Sequence, residues 1–320
     1  MSTHQASFFG RGRLTCQSHF AAFCVLGTLA IISFLARPTL AAPPAFNAVT
    51  SWGYQLTGYD AAGVRDLVAA PFDLLVIDLA RDGGRDYFAD GEITELKQSD
   101  KIVLAYFEIG AIEAYRPEWN EVPEEIMAGT VDGWPKERYI KYWDDRWWPV
   151  VQSRVDRALS AGFDGAYLDL ITAYDEIADD EFTTEERARR MVSLIVRISR
   201  YAKSKDADFK IVAQNSPELA NWSFWEPTKN HEYLSAIDGL ALESPFYLAH
   251  DKICKQSWCL ENRTNAVFVK SQGKLLLGVD YAKQPQSIRD SYRRQRDAGF
   301  VPYVSVRALD RLMTHEAKND

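Results

Sequence analysis

The sequence has few histidines and few cysteines for a chain of 320 residues. Two of the five histidines, His4 and His19, precede a long apolar run near the N-terminus, and the other three (His231, His250 and His315) do not have the spacing of metal ligands. This shortage argues against a histidine-built metal site, so we expect neither a metal nor another cofactor. The Gly-x-Ser-x-Gly turn of many serine hydrolases is also absent.

A basic surplus and an internal repeat are absent as well. The chain has 37 Lys and Arg against 45 Asp and Glu, a net charge of −8, so we do not expect a nucleic-acid binder, which usually carries a basic face. The lack of a 20- to 50-residue period argues against a solenoid or a propeller. Hydrophobic residues make up 47% and charged residues 26%, which is typical of a globular protein.

The first 42 residues have the order of a targeting segment. Residues 1–19 contain Arg11 and Arg13 but no acid, and an apolar run of 17 residues, 20–36, comes before several small residues. This order is typical of a secretory signal peptide; an uncleaved N-terminal anchor is the alternative, since the run could just span a bilayer. We therefore expect residues 43–320 to be secreted, either periplasmic or extracellular, with membrane contact only through an uncleaved anchor.

Two further properties follow from export. Removal of residues 1–41, which hold three arginines and no acidic residue, would change the net charge from −8 to −11. It would also leave two cysteines, Cys254 and Cys259. In an oxidising compartment such a close pair is expected to form a disulfide that closes a small loop.

The rest of the chain alternates between short apolar runs and segments with helical periodicity. Eight strands are predicted, at Val49–Tyr54, Phe72–Leu79, Ile102–Phe107, Gly165–Leu170, Lys210–Asn215, Gly239–Glu243, Leu275–Val279 and Val301–Val306. Continuous apolar runs indicate strands that are buried on both faces, as in parallel sheets. Eight strand–helix units in residues 43–320 predict a single α/β domain, a (β/α)8 TIM barrel. A doubly wound sheet is the alternative, but no Gly-x-Gly-x-x-Gly turn follows the first strand.

One connection is much longer than the others. The segment from Glu108 to Pro149 contains five tryptophans, and a long excursion from a compact fold is usually functional. We expect an aromatic-rich loop after strand 3 that forms a wall over the mouth of the barrel.

Carboxylates follow the C-terminal ends of five predicted strands, where barrel enzymes carry their active sites. They are Asp78, Glu108, Asp169, Glu243 and Asp280. Almost no cation accompanies them, so crowding at one mouth would raise their pKa values. Helix N-caps are the alternative, above all for Asp78 and Asp280. Tyr54, Tyr106, Tyr167 and Asn215 also stand at strand ends and are further candidates for substrate contact.

Paired carboxylates and aromatic side chains point to glycoside hydrolysis. One carboxyl group acts as nucleophile or base and the other as acid, while aromatic faces stack on sugar rings. Among the nine tryptophans, Trp143 and Trp148 are the first candidates for such stacking. The alternative is packing of the long loop on the barrel. An acidic mouth would attract a cationic sugar polymer.

Several motifs resemble glycoside hydrolase family 114, the endo-α-1,4-polygalactosaminidases and related bacterial extracellular proteins. The most specific are YIKYWDDRWW (139–148) and GFDGAYLDLITAYD (162–175); the supporting ones are WGYQL (52–56), FDLLVIDLARDG (72–83), KIVLAYFEIGAIEAYRPEW (101–119), VAQN (212–215) and DGLALESPFY (238–247). The resemblance runs through nearly all of residues 43–320. It implies a (β/α)8 barrel that cleaves α-1,4-linked galactosamine polymers without a metal.

The resemblance also implies catalytic roles. The acid pair at the ends of strands 4 and 6 corresponds to Asp169 and Glu243, with Asp169 as nucleophile and Glu243 as acid/base in a retaining reaction. Retention requires carboxyl groups about 5–5.5 Å apart, whereas about 6.5–9.5 Å would indicate inversion. One departure concerns strand 3: the family has Ser before Ile-Gly and an acid after it, whereas this chain has Glu108 before and Ala111 after.

Other functions remain compatible with the residues. They are a barrel that binds polysaccharide without cutting it, a glycosidase for a different α-linked glycan, and a metal-dependent deacetylase, which the histidine shortage opposes.

Overall fold

In the computed structural model, the described residues are 44–59, 64–89, 91–178, 181–221 and 227–315, without the side chains of 227–230. The expected signal peptide or anchor, residues 1–42, lies outside them. The strands are β1 (Trp52–Gln55), β2 (Leu74–Asp78), β3 (Ile102–Glu108), β4 (Ala111–Glu113), β5 (Met127–Val131), β6 (Trp134–Ile140), β7 (Gly165–Asp169), β8 (Lys210–Gln214), β9 (Gly239–Glu243), β10 (Tyr247–Leu248), β11 (Lys252–Ile253), β12 (Leu275–Tyr281) and β13 (Val301–Ser305).

The helices alternate with these strands along the chain. The α-helices are α1 (Arg65–Ala69), α2 (Glu92–Gln98), α3 (Trp148–Ala161), α4 (Ala173–Glu176), α5 (Thr184–Lys205), α6 (Pro227–Ala236), α7 (Ser257–Ser271) and α8 (Pro285–Asp297). Short 3-10 helices occupy Phe46–Ala48, Trp119–Glu121, Glu124–Ile126 and Pro217–Ala220. None of the helices within the described residues combines the length and the apolar character that crossing a membrane requires.

Eight parallel strands form the central sheet, in the order β1-β2-β3-β7-β8-β9-β12-β13. The indole Nε1 of Trp52 on β1 donates to the carbonyl oxygen of Val301 on β13 at 3.0 Å, so the first and last strands come together. The nearly closed sheet confirms the predicted TIM barrel and excludes the doubly wound alternative. Each of the eight predicted strands overlaps an observed one.

Aromatic rings fill the inside of the barrel. Side chains alternate between the two faces of each strand, and the inward positions form one apolar cluster around Trp52, Tyr54, Tyr106, Tyr167 and Tyr303. The ring centroids of Tyr54 and Tyr167 are 5.2 Å apart, and those of Trp52 and Tyr303 are 5.5 Å apart. The interior is therefore a packed core, and it supports the side chains at the strand ends.

The outward positions of the strands pack against the helices in a second apolar cluster. The longest helix, α5, begins with a capping box. The Thr183 hydroxyl accepts from the Glu186 backbone N–H at 3.2 Å, and a Glu186 carboxyl oxygen accepts from the Thr183 N–H at 2.8 Å. These bonds satisfy donors that the first helical turn leaves unpaired.

The long connection after β3 is a small sheet rather than an irregular loop. Strands β4, β6 and β5 pair antiparallel in that order, and we call them the inserted sheet. Asp132 and Gly133 form the tight turn between β5 and β6, with a positive φ of 77° at Gly133. Asp-Gly is a strong hairpin signal, so the sequence contained the information for this hairpin.

Cys254 and Cys259 form a disulfide, with their Cα atoms 6.2 Å apart. The bond connects the residue after β11 to the first turn of α7.

The backbones that follow β3 and β7 make a close contact at Gly110. A Cβ atom on this residue would lie 2.1 Å from the carbonyl oxygen of Leu170 and 2.6 Å from the Cβ of Ala173. Only glycine permits this approach. The contact fixes the chain immediately after Asp169.

Gly110→Ala is therefore expected to destabilise the barrel by about 1–3 kcal/mol, because the added methyl group must push backbone aside. Urea unfolding would measure the change. Gly129→Ala is the matched control: nothing lies within 4 Å of a Cβ there, so we expect no comparable loss. Equal stability of the two variants would contradict the prediction.

Candidate active site

A cavity of about 590 Å³ lies at the C-terminal ends of the barrel strands. We call it the mouth cavity. Its lining comes from strand ends and the residues after them (Tyr54, Leu56, Thr57, Tyr106, Asp169, Leu170, Thr172, Asn215, Glu243, Ser244, Tyr281), from the inserted sheet and its flanks (Glu113, Tyr115, Val131, Asp132, Trp134, Glu137, Tyr139), and from two loops (Leu248, Ala249, Lys252, Arg307, Ala308, Leu309). This is the end of a barrel at which chemistry is expected.

Asp169 ends β7 and reaches the cavity. The Tyr106 hydroxyl donates to its Oδ2 at 2.7 Å, and the Leu170 backbone N–H donates to its Oδ1 at 2.6 Å. Leu170 has a positive φ of 56°, a conformation that bulky residues rarely adopt. The backbone N–H of the tight turn after β7 therefore holds the Asp169 carboxyl group in place.

Glu243 ends β9 and lines the same cavity. The Asn215 side chain holds it twice: its Oδ1 accepts from the Glu243 backbone N–H at 3.0 Å, and its Nδ2 donates to Oε2 at 3.4 Å. The Tyr281 hydroxyl donates to Oε1. As on β7, a residue with positive φ follows at once, here Ser244 with 52°.

The two carboxyl groups influence each other electrostatically. Burial and the negative charge of Glu243 raise the pKa of Asp169, while the hydrogen bonds from Tyr106 and Leu170 act to lower it. Asp169 therefore retains its proton to a higher pH than an isolated carboxyl group does. A pair with one proton can supply both an acid and a nucleophile.

Asp78 and Glu108 are also at the top of the barrel, but they do not line the cavity. Arg116, from the segment after β4, donates to both oxygens of Asp78 at 2.9 and 3.0 Å and to Glu108 Oε1 at 2.7 Å. Arg154 on α3 donates to the other oxygen of Glu108 at 3.2 Å. The expectation that almost no cation accompanies these carboxylates is therefore wrong: two buried arginines neutralise them, and both acids are buried.

The net pKa shifts of Asp78 and Glu108 have opposite directions. Burial acts to raise the pKa of Glu108, but the charge of Arg116 and further contacts, including Arg154, bring it below its usual value. For Asp78, burial outweighs Arg116 and leaves the pKa raised.

Asp280 faces away from the barrel interior. Leu277, Val279 and Tyr281 belong to the inward cluster, so strand alternation turns Asp280 toward α8. There its carboxyl group accepts from Ser291 Oγ at 2.6 Å and from the backbone N–H of Tyr247 at 2.8 Å. Burial raises its pKa to about 6, although its hydrogen bonds oppose the shift. The expected substrate contact at Asp280 is wrong by one residue, because its neighbour Tyr281 is the one in the cavity.

Some of the candidate tyrosines and Asn215 line the mouth cavity, whereas Tyr167 belongs to the barrel core. Tyr54, Tyr106 and Asn215, three of the candidates for substrate contact, line the mouth cavity. Tyr167 lies below it in the aromatic core, fully buried, and its hydroxyl has no hydrogen-bond partner within the described residues. Tyr54 donates from its hydroxyl to Gln214 at 3.4 Å.

Trp143 and Trp148 lie outside the mouth cavity. They line a smaller hollow next to α5, where Trp148 packs edge-on against Tyr201 and beneath the Arg197 guanidinium. Trp143 meets Phe182 edge-on at 5.7 Å. The structure therefore corresponds to the packing alternative, and the expected stacking on a sugar in the cleft is wrong for both residues.

Sequence reasoning missed the acids and aromatic residues of the inserted sheet. Glu113 and Glu137 are opposite each other on β4 and β6, and together with Asp132, Tyr115 and Trp134 they line the cavity. The Asp-Gly turn would have indicated a hairpin, and hence a wall with defined faces. Neither acid was a candidate, because neither stands at the end of a barrel strand.

A second and larger hollow, of about 970 Å³, runs beside β1 between α1 and α8. Its lining includes a single carboxyl group, that of Asp66, so it lacks the acid pair on which hydrolysis would depend. Within the described residues, no group of three or more His, Cys, Asp or Glu side chains could hold a metal ion.

The sequence model of glycoside-hydrolase family GH114 matches residues 35–319. An uncharacterized protein of Deinococcus radiodurans is 30% identical over 278 residues, which cover 85% of this chain and 85% of the relative. An uncharacterized protein of Methanocaldococcus jannaschii is 30% identical over 279 residues, which cover 82% of this chain and 78% of the relative.

Solved structures share the barrel. Ega3 of Aspergillus fumigatus, in complex with galactosamine, has a TM-score of 0.63 at 16% identity over 84% of this chain and 96% of Ega3. The glycoside hydrolase domain of PelA from Pseudomonas aeruginosa has a TM-score of 0.64 at 15% identity over 82% of this chain and 97% of that domain. At these identities the likeness establishes the fold.

Arg116→Met is expected to destabilise the protein, because it leaves Asp78, Glu108 and Glu113 without their shared cation. Loss of one partner from a buried ion pair costs about 3–5 kcal/mol, and urea unfolding would measure it. Arg146→Met is the control: that arginine is exposed and pairs with Asp144 at 2.9 Å, so little change is expected. Wild-type stability of the Arg116 variant would refute a structural role for the cluster.

Proposed function

Because the chain belongs to glycoside-hydrolase family GH114, we propose that it is a secreted hydrolase that cleaves α-1,4-linked galactosamine-containing polysaccharide internally. The observation that carries the proposal is the shared cavity of Asp169 and Glu243, whose carboxyl groups are close enough for the charge of one to raise the pKa of the other. Glycoside hydrolysis needs two such groups.

The proposed reaction has two steps and retains the anomeric configuration. First, the Asp169 carboxylate attacks the anomeric carbon while Glu243 gives its proton to the leaving glycosidic oxygen, so that the C–O bond breaks and a glycosyl ester forms. Then Glu243 takes a proton from water, whose oxygen attacks the same carbon and releases Asp169. The hydrogen bonds from the Tyr106 hydroxyl and the Leu170 backbone N–H hold the Asp169 carboxyl group in a fixed orientation at the end of β7, which supports its role as nucleophile.

The charge of the cavity supports a cationic substrate. Its lining holds five acidic residues (Glu113, Asp132, Glu137, Asp169, Glu243) and two basic ones (Lys252, Arg307). A bound polycation would favour the ionised form of these acids and would be attracted by it, whereas a polyanion would be repelled. The galactosamine in the complex of Ega3, a protein with the same fold, also favours an amino sugar here.

We expect Glu243→Gln to lower kcat on partly deacetylated α-1,4-galactosamine polymer by about 10²–10⁴-fold, since it removes general acid–base catalysis. Release of reducing ends would be followed, and a mixture of product lengths would indicate internal cleavage. Glu261→Gln on α7 is the matched control, because Glu261 is exposed and does not line the mouth cavity. Full activity of the Glu243 variant would refute the acid/base assignment.

Binding and reducing-end assays of the wild-type protein distinguish the proposed hydrolase from the two alternatives. Binding without release of reducing ends would favour a non-catalytic barrel. Release from another α-linked polymer, but not from galactosamine polymer, would favour a different glycan.

The pH profile tests the roles of the pair. On a substrate whose leaving group needs no protonation, wild-type activity should fall as the pH drops through the raised pKa of Asp169, because a protonated nucleophile cannot attack. Glu243→Gln removes the negative charge that contributes to this pKa, so the acidic limb of kcat/KM should move to lower pH. An aryl α-galactosaminide with a good leaving group would make the measurement possible without an acid catalyst. An unmoved limb would contradict the assignment.

A further inference from the structure

One buried carboxyl group that lines the mouth cavity, that of Glu137, lacks a hydrogen-bond partner for one of its oxygens among the described residues. Glu137, on β6 of the inserted sheet, is only 6% exposed, yet it lines the cavity. Its Oε1 is buried and has no hydrogen-bond partner within the described part of the chain. Buried polar atoms are nearly always bonded, so an orphaned carboxyl oxygen that borders a cavity points to a ligand.

The neighbouring cations are engaged elsewhere. Glu113, opposite Glu137 across the β4–β6 ladder, accepts from Arg116 Nε at 2.8 Å. The remaining nitrogens of Arg116 donate to Asp78, Glu108 and a backbone carbonyl. At the rim of the cavity, the Arg307 guanidinium stacks over the Trp134 ring at 5.5 Å. Glu137 therefore forms no ion pair with a cation of the described residues, and its buried Oε1 stays without a hydrogen-bond partner there.

The surroundings of Glu137 disfavour its charge when the cavity contains no cation. Burial and the charges of Glu108 and Asp169 raise its pKa to about 8. A cation bound beside it would reverse the effect, because an opposite charge favours the ionised form. The site is thus suited to a ligand group that carries a positive charge and several N–H donors.

We propose that Glu137 binds the protonated 2-amino group of a sugar unit of the substrate and thereby selects deacetylated over N-acetylated residues. The inference rests on the proposed function and assigns part of its specificity to one side chain. An ammonium group supplies both the charge and the donors that the buried oxygen lacks. An acetamido group is neutral and larger, so it supplies no positive charge to keep Glu137 ionised.

The decisive measurement compares kinetics on two substrates. Glu137→Gln, which keeps the shape of the side chain, should raise the KM for fully deacetylated galactosamine oligosaccharides about tenfold or more, as expected for loss of a charge-assisted hydrogen bond. Its kcat should change much less, and its KM for partly N-acetylated oligosaccharides should change least. An equal effect on both substrates, or none, would overturn the inference.

Matched variants distinguish an effect on substrate preference from an effect on protein stability. Glu125→Gln, in the same inserted segment but largely exposed beside Arg146, should behave as the wild type on both substrates. Glu137→Asp keeps the charge and should retain part of the preference, which also provides a readout if the glutamine variant fails to fold. Thermal unfolding of each variant would accompany the kinetics. Loss of preference in Glu137→Asp as complete as in Glu137→Gln would argue against charge recognition.

Failure of the proposed function would give a different result. In that case the wild type would cleave neither oligosaccharide, and calorimetric binding of the same two ligands to the wild type and to Glu137→Gln would replace the kinetics. A preference for the deacetylated ligand that disappears in the variant would support the inference without hydrolysis. Absence of any preference in the wild type would overturn it.

Discussion

The ion pairs of Arg116 with Asp78, Glu108 and Glu113 are the interaction on which the top of the barrel depends. Through them one buried guanidinium joins the ends of β2 and β3 to the first strand of the inserted sheet. A buried carboxylate without a partner is strongly unfavourable, so this arginine keeps three acids folded in place and holds the sheet beside the strand ends. Because its donors are consumed there, none of them is left for Glu137 on the neighbouring strand.

The barrel itself was predictable because its strands are continuous apolar runs that have to be buried on both faces. The position of the proposed catalytic pair was predictable for a similar reason: Asp169 and Glu243 end such runs, and both occupy inward positions that line the mouth cavity. The same reasoning failed at Asp280, although the alternation of Leu277, Val279 and Tyr281 already contained the answer. The prediction placed Asp280 correctly near the end of β12 but on the wrong face of that strand.

Other features depend on contacts between distant residues, which no local pattern contains. Arg116 reaches Asp78 across 38 positions of the chain, and nothing around either residue indicates the pairing. Glu137 faces the cavity because β6 pairs with β4 in a register that places it opposite Glu113, a residue distant in the sequence. The tryptophans were misplaced because an aromatic side chain packs equally well on a sugar or on another helix, as Trp148 does against Tyr201.

The positive φ angles of Leu170 and Ser244 bear on how this protein could be engineered. Neither residue is glycine, and such a conformation costs about 1–3 kcal/mol at each position. A glycine would relax the native backbone, so a search for thermostable variants would be drawn to these two sites. Both flank a carboxyl group of the proposed catalytic pair, however, and a looser turn would let that group move by the fraction of an ångström that catalysis does not tolerate. At these two positions, a substitution that raises thermal stability would be expected to lower the catalytic rate.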